Sequence, residues 1–131
     1  MIHLTFDEML RVARRAIDAD VLVRDAGLLE SAIVRPRTSV MGADAYPTLD
    51  LKAAALVHSL VTNHALVDGN KRLGLAGLIT FLGVNGRRLT MTEDAAYDFI
   101  VEIADGRLDD VETIAHCIAA HSAARRSGRE L

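Results

Sequence analysis

The chain predicts an all-α fold: one domain built as a bundle of about six helices, with a buried helix pair at its centre. Three observations lead there. Half of the residues are hydrophobic, carried by Leu, Ala, Val and Ile with no Trp and 4% aromatics, a mix suited to close-packed helices. Apolar residues recur at roughly helical spacing. Residues 49–64 and 71–84 are apolar nearly all round, which marks helices covered on every side by others. At 131 residues the length fits one domain with a sizeable core. No repeat, low-complexity tract or linker divides the chain, so the domain is expected to span 1–131, with its core at about 5–124 and a fraying polar tail at 125–131.

The elements follow in order. "TFDEMLRVARRAIDAD" opens with Thr5 and has Glu8 three residues on, the sign of a capping box. Phe6, Met9, Leu10, Val12, Ala13 and Ile17 then keep helical spacing. A second helix is expected at about 25–34, capped by Asp25 and stopped where Arg35 precedes Pro36. "RTSVMGADAYPT", residues 37–48, has Gly, Asp, Ser and Pro without periodicity and is expected to be irregular. The two central helices come next, at about 49–64 and 71–84, the second ending at "NG". "RRLTM" reads as a short extended piece. A fifth helix runs from its cap Thr92 to about Ala104, and a sixth from a cap-like Asp109 to about Ala124.

Composition excludes several classes. Fifteen Lys and Arg against 18 Asp and Glu give a net charge of −3, without the basic stripe of a general nucleic-acid binder. The single Cys117 allows no intramolecular disulfide and suits a reducing compartment. "MIHLTFDEML" lacks the pattern of a secretory signal, and residues 73–84 are too short an apolar run for a membrane span. A cytoplasmic domain without membrane or nucleic-acid contacts is expected.

The chemistry concentrates between the central helices, in "HALVDGNKR". Asp68-Gly69-Asn70 reads as a turn. That puts Lys71 and Arg72 in the first turn of the next helix, where the macrodipole disfavours cations by roughly 0.3–1 kcal/mol each. In a plain connection, Asp68 and Asn70 would be turn or cap residues and the cations solvated charge. Taken together, however, unpaired first-turn N–H groups, a positive dipole end and two cations make an anion site. Phosphate fits it, since Arg supplies a fork and Lys a point charge. His64, across the loop, can take a proton from a hydroxyl. Asp68 can hold a magnesium ion shared with phosphate oxygens. Base, carboxylate and anion cradle within nine residues form a minimum kit for phosphoryl or nucleotidyl transfer.

That stretch resembles the motif H-x-F-x-[DE]-[GA]-N-[GK]-R of the Fic/Doc family. With Lys71 in the penultimate place it is similar to the Doc branch, the death-on-curing toxins of bacterial toxin–antitoxin pairs. "RDAGLLESAIVRPR" and "YPTLDLKAAALVHSLVTNH" resemble the Doc-type lead-in, and "GLAGLITFLGVNG" the helix after the motif. Leu66 departs from the usual Phe, an apolar plug that holds the loop to the core. The resemblance implies a Fic-type bundle with His64 as general base and Asp68 as magnesium ligand or orienter of the target hydroxyl. Gly69, Asn70, Lys71, Arg72 and the free amides would hold the nucleotide phosphates. In adenylylating relatives a glycine stands where Lys71 is. The lysine implies a reversed ATP that presents its γ-phosphate, hence protein phosphorylation, with a threonine of elongation factor Tu as the family's target. The segment "RPRTSVMGADAYPT", residues 35–48, falls where the family has a flap that docks the target. Two alternatives stay open: an AMP transferase of the wider family, and a non-catalytic module whose anion site binds a partner.

The remaining candidates have plainer readings. His3, His58, His116 and His121 keep no metal spacing, and neither H-E-x-x-H, C-x-x-C nor a P-loop occurs. Cys117 is expected to be a buried small hydrophobe. Gly74, Gly77 and Gly83 are expected to allow close helix packing. No Ser or Thr has Glu four residues later, so the self-inhibitory segment of some family members is absent from this sequence. The resemblance then implies inhibition in trans by a Phd-like antitoxin.

Overall fold

The structure, a computed structural model, describes residues 1–125. The capping box at Thr5 starts α1 (Phe6–Ala16): the Thr5 hydroxyl accepts from the Glu8 N–H at 3.1 Å, and the Glu8 carboxylate accepts from the Thr5 N–H at 2.9 Å. Those bonds, the Thr5 N–H first, hold the Glu8 carboxyl below the usual carboxylate range. Asp25 caps α2 (Ala26–Val34), Thr48 caps α3 (Leu49–Thr62) and Thr92 caps α5 (Glu93–Ala104), each accepting from the N–H three residues on. The fourth helix, α4 (Asn70–Val84), begins without any side-chain cap.

The sixth helix differs from expectation at both ends. Its cap is Asp110, not Asp109, and α6 spans Val111–Ala120. Ser122–Ala124 leave the helix and pair, as strand β4, antiparallel with β3 (Arg87–Leu89). The alanines there favour helix, but pairing along the open edge of residues 87–89 outweighs that preference of under 1 kcal/mol each. Earlier in the chain, the segment 37–48 holds β1 (Ser39–Val40) and β2 (Ala43–Asp44), so it is a hairpin rather than irregular. Met41 and Gly42 at its tip both have positive φ, as in the primed turns that suit hairpin twist. Its sequence lacks a Gly or Asn at the first turn position, which hides the signal. Of the expected tail, Arg125 is tied down: its N–H donates to Gly86 O at 2.7 Å and its guanidinium to Gly83 O at 3.0 Å. Residues 126–131 lie outside the described residues.

The expected central pair is α3 and α4. Nine residues of α3 are buried, from Lys52 to Val61, and six of α4, two of them glycines. The two helices approach closely because two glycines face α3. A Cβ on Gly74 would stand 2.3 Å from Val61 Cγ2, and one on Gly77 2.7 Å from Leu60 Cδ1 and 3.3 Å from Met9 Sδ of α1. Gly83, by contrast, faces Arg125 alone among the described residues, 3.6 Å from its Nη1. Helices α1, α2, α5 and α6 cover the pair, with Met9, Leu29, Ile103, Ile114 and Ile118 fully inside. Cys117, expected to be buried, is only partly so: it packs against the edge of this core, and that burial pushes its thiol pKa up.

Polar ties hold the periphery. Lys52, 5% exposed, donates from Nζ to Tyr46 O and pairs with Asp44 at 3.3 Å, anchoring the base of the hairpin. Arg35 bonds Tyr46 Oη at 3.1 Å, Ser59 Oγ at 2.9 Å and His58 Nδ1 at 2.8 Å, while His58 Nε2 lies 2.8 Å from Asp109 Oδ1. Among the described residues no helix is long and apolar enough to cross a membrane.

Candidate active site

Helix α3 ends at Thr62 with Asn63 as C-cap, and His64 lies just past the end rather than within the helix. His64 has φ +54° and Gly69 φ +92°, so the connection turns through two left-handed residues. At Gly69 the conformation and the space both demand glycine: a Cβ would meet Ile17 Cδ1 at 2.7 Å and Cγ2 at 2.9 Å. Between these pivots Ala65 and Leu66 plunge into the core, Leu66 1% exposed. The apolar plug at this position is therefore filled by leucine.

Asn70 closes the loop. Its Oδ1 accepts from the Leu66 N–H at 3.0 Å and its Nδ2 donates to Leu66 O at 3.1 Å. Both ends of its amide are used by the loop, so what Asn70 offers a ligand is its backbone N–H. On the other side, Leu22 O accepts from the Val67 N–H at 3.0 Å, and Val23 bridges to Leu66. The connection is held between the α1–α2 segment and the start of α4.

Held in this way, His64, Asp68, Gly69, Asn70, Lys71 and Arg72 all line one cleft of about 480 Å³. The first amides of α4, residues 70–72, have no intrahelical acceptor, and among the described residues no side chain caps them. Lys71 and Arg72 are exposed, and among the described residues neither forms a salt bridge. This end of the cleft is positive by backbone and side chain alike. Asp68 is exposed beside it. Its Oδ1 accepts from the Gly69 N–H at 2.9 Å, which leaves Oδ2 for another partner.

The cleft also has an apolar wall that sequence reasoning missed. Val61, Leu75, Ile100 and Ala104 form it, with exposed Tyr97 at its edge. Tyr97, Ile100 and Ala104 are spaced three and four apart on α5, so they share one face. That spacing was readable, but it looks the same as a core-facing stripe. The remaining histidines stand outside the cleft. His58 is bound to Arg35 and Asp109, and His3 packs near Phe81 with its pKa lowered chiefly by burial.

Chemically the cleft offers a positive cradle for an anion, an imidazole, a carboxylate with one oxygen free and an apolar wall. Comparison with known proteins agrees with the motif. A model described as the Fic/DOC family matches residues 3–82. A curated relative, Toxin Doc of Mycolicibacterium smegmatis, is 44% identical over 128 residues, covering 96% of this chain and 98% of its own.

Proposed function

The chain belongs to the Doc branch of the Fic/DOC family, and from that premise we propose that it is a Doc-like toxin that transfers the γ-phosphate of ATP to a protein hydroxyl. One observation carries the reading: Lys71 and the uncapped first turn of α4 share a cleft with His64. Phosphate oxygens take the amides of residues 70–72 and the side chains of Lys71 and Arg72, while the apolar wall with Tyr97 leaves room for the nucleoside. The acceptor hydroxyl enters beside His64. Its oxygen attacks the γ-phosphorus, its proton passes to the imidazole, and the bond to the β-phosphate oxygen breaks as ADP leaves.

The residues also fit magnesium. Asp68 presents one free oxygen next to a phosphate cradle, the usual way in which Mg²⁺ is held by one carboxylate and substrate phosphates. When bound, the ion would neutralise charge on the phosphates. The expected target is elongation factor Tu, with translation blocked as the result. The expected partner is a cognate Phd-like antitoxin that inhibits in trans.

The test is transfer from labelled ATP. With γ-labelled ATP and elongation factor Tu, the acceptor should gain label and the mass of a phosphate. Label arriving from the α position would replace this reading with an AMP transferase. No magnesium-dependent turnover at all would leave a binding module.

A further inference from the structure

His64 stands on backbone that L-residues avoid, at the position after a helix C-cap where glycine is the usual occupant. Such a conformation persists where its surroundings over-determine it. The direction of the imidazole depends on that backbone, because allowed rotamers follow φ and ψ. What holds the peptide comes from 40 residues upstream. Arg24 donates to the His64 carbonyl from Nε at 3.1 Å and from Nη2 at 2.5 Å. Two donors of one planar fork on a single oxygen set the direction of the peptide plane, and a charged donor makes the stronger kind of hydrogen bond.

The main chain of Arg24 does a separate task. The N–H groups of Arg24 and Asp25 donate to Ala65 O at 2.8 and 3.0 Å, next to the Val23–Leu66 bridge. Those bonds survive loss of the guanidinium, so the side chain acts on residue 64 in particular. Arg24 does not line the cleft, and among the described residues no carboxylate pairs with it. Its charge is not spent elsewhere.

We propose that Arg24 is a positioning residue for His64: its guanidinium locks the left-handed peptide and thereby aims the imidazole into the cleft. The catalytic part of this inference rests on the phosphotransfer reading above. The test compares Arg24→Ala and Arg24→Lys with the wild type and with Arg11→Ala, an exposed arginine of α1. Arg24→Ala should lower kcat about tenfold or more while KM for ATP stays nearly constant, because the phosphate cradle on α4 is untouched. Arg24→Lys should recover part of the rate, since an ammonium can still reach the carbonyl with one bond. Arg11→Ala should match the wild type. The ¹³Cα and ¹³Cβ shifts of His64, read without substrate, should leave the left-handed range in Arg24→Ala alone. An unchanged kcat, or a His64 that stays left-handed in Arg24→Ala, overturns the proposal. So does a fall in kcat matched by equal losses of ATP affinity and thermal stability, which would make Arg24 merely structural. If the wild type transfers no phosphate, the functional reading fails, and the His64 shifts still decide whether the clamp exists.

Discussion

A histidine at φ +54° carries a backbone cost of about 1–2 kcal/mol that a glycine would not. The two demands on residue 64 can therefore be separated. His64→Ala and His64→Gly should both abolish transfer and keep nucleotide binding, but the glycine variant should be more stable than the alanine by about 1 kcal/mol in denaturant unfolding. Arg72 has the opposite balance. It is exposed, unpaired among the described residues and misplaced against the helix dipole. Arg72→Ala should weaken ATP binding by roughly 10–100-fold in calorimetry, the worth of a charge-assisted phosphate contact, with stability unchanged or raised by a few tenths of a kcal/mol. Lys71→Gly should lower phosphorylation and open the way to weak transfer from α-labelled ATP. All six residues named from the motif meet in one cleft because they lie within nine positions, and the turn that gathers them is written in local chemistry. Arg24 and Tyr97 were not legible in that way. Each reaches the site from a distant segment, and only tertiary packing says so.

At the scale of elements, local hydrogen bonding was the readable part. Thr5, Asp25 and Thr92 cap where their side chains predict, since a cap is decided within three residues. Asp109 against Asp110 was decided instead by His58, 51 positions away, which draws Asp109 out of the cap. The strand β4 was hidden for the same reason: its helix-favouring alanines obey a partner at residues 87–89. Gly74 and Gly77 were readable as packing residues, and the structure ranks them. Val61 is β-branched and stiff at χ1, so it cannot swing away from a Cβ on Gly74 at 2.3 Å. Gly74→Ala should lose about 1–2 kcal/mol, overpacking outweighing the gain in helix propensity. It should also lower transfer, because Val61 lines the cleft. Gly77→Ala meets the flexible ends of Leu60 and Met9 and should stay within about 1 kcal/mol of the wild type in the same unfolding measurement.

On the scale of the whole molecule, the helical bundle follows from composition and periodicity, and the family from one motif with its flanks. For the proposed toxin, expression of this chain alone should arrest growth, and co-expression of a cognate antitoxin should restore it. Folded protein that leaves growth untouched would count against toxicity. The assembled molecule also reports on itself through one proton. Arginine has only donors, so the nitrogen of His58 that faces Arg35 must accept, and the other must carry the hydrogen that Asp109 receives. Of the two neutral isomers of that ring, one alone fits its neighbours. The three bonded groups come from residues 35, 58 and 109, which meet only when the 3-10 turn after α2 (Arg35–Arg37), the helix α3 and the approach to α6 are all in place. A single slowly exchanging ring N–H in a ¹⁵N spectrum would then be a signature of the complete native topology, silent about catalysis and lost as soon as any one of the three segments lets go.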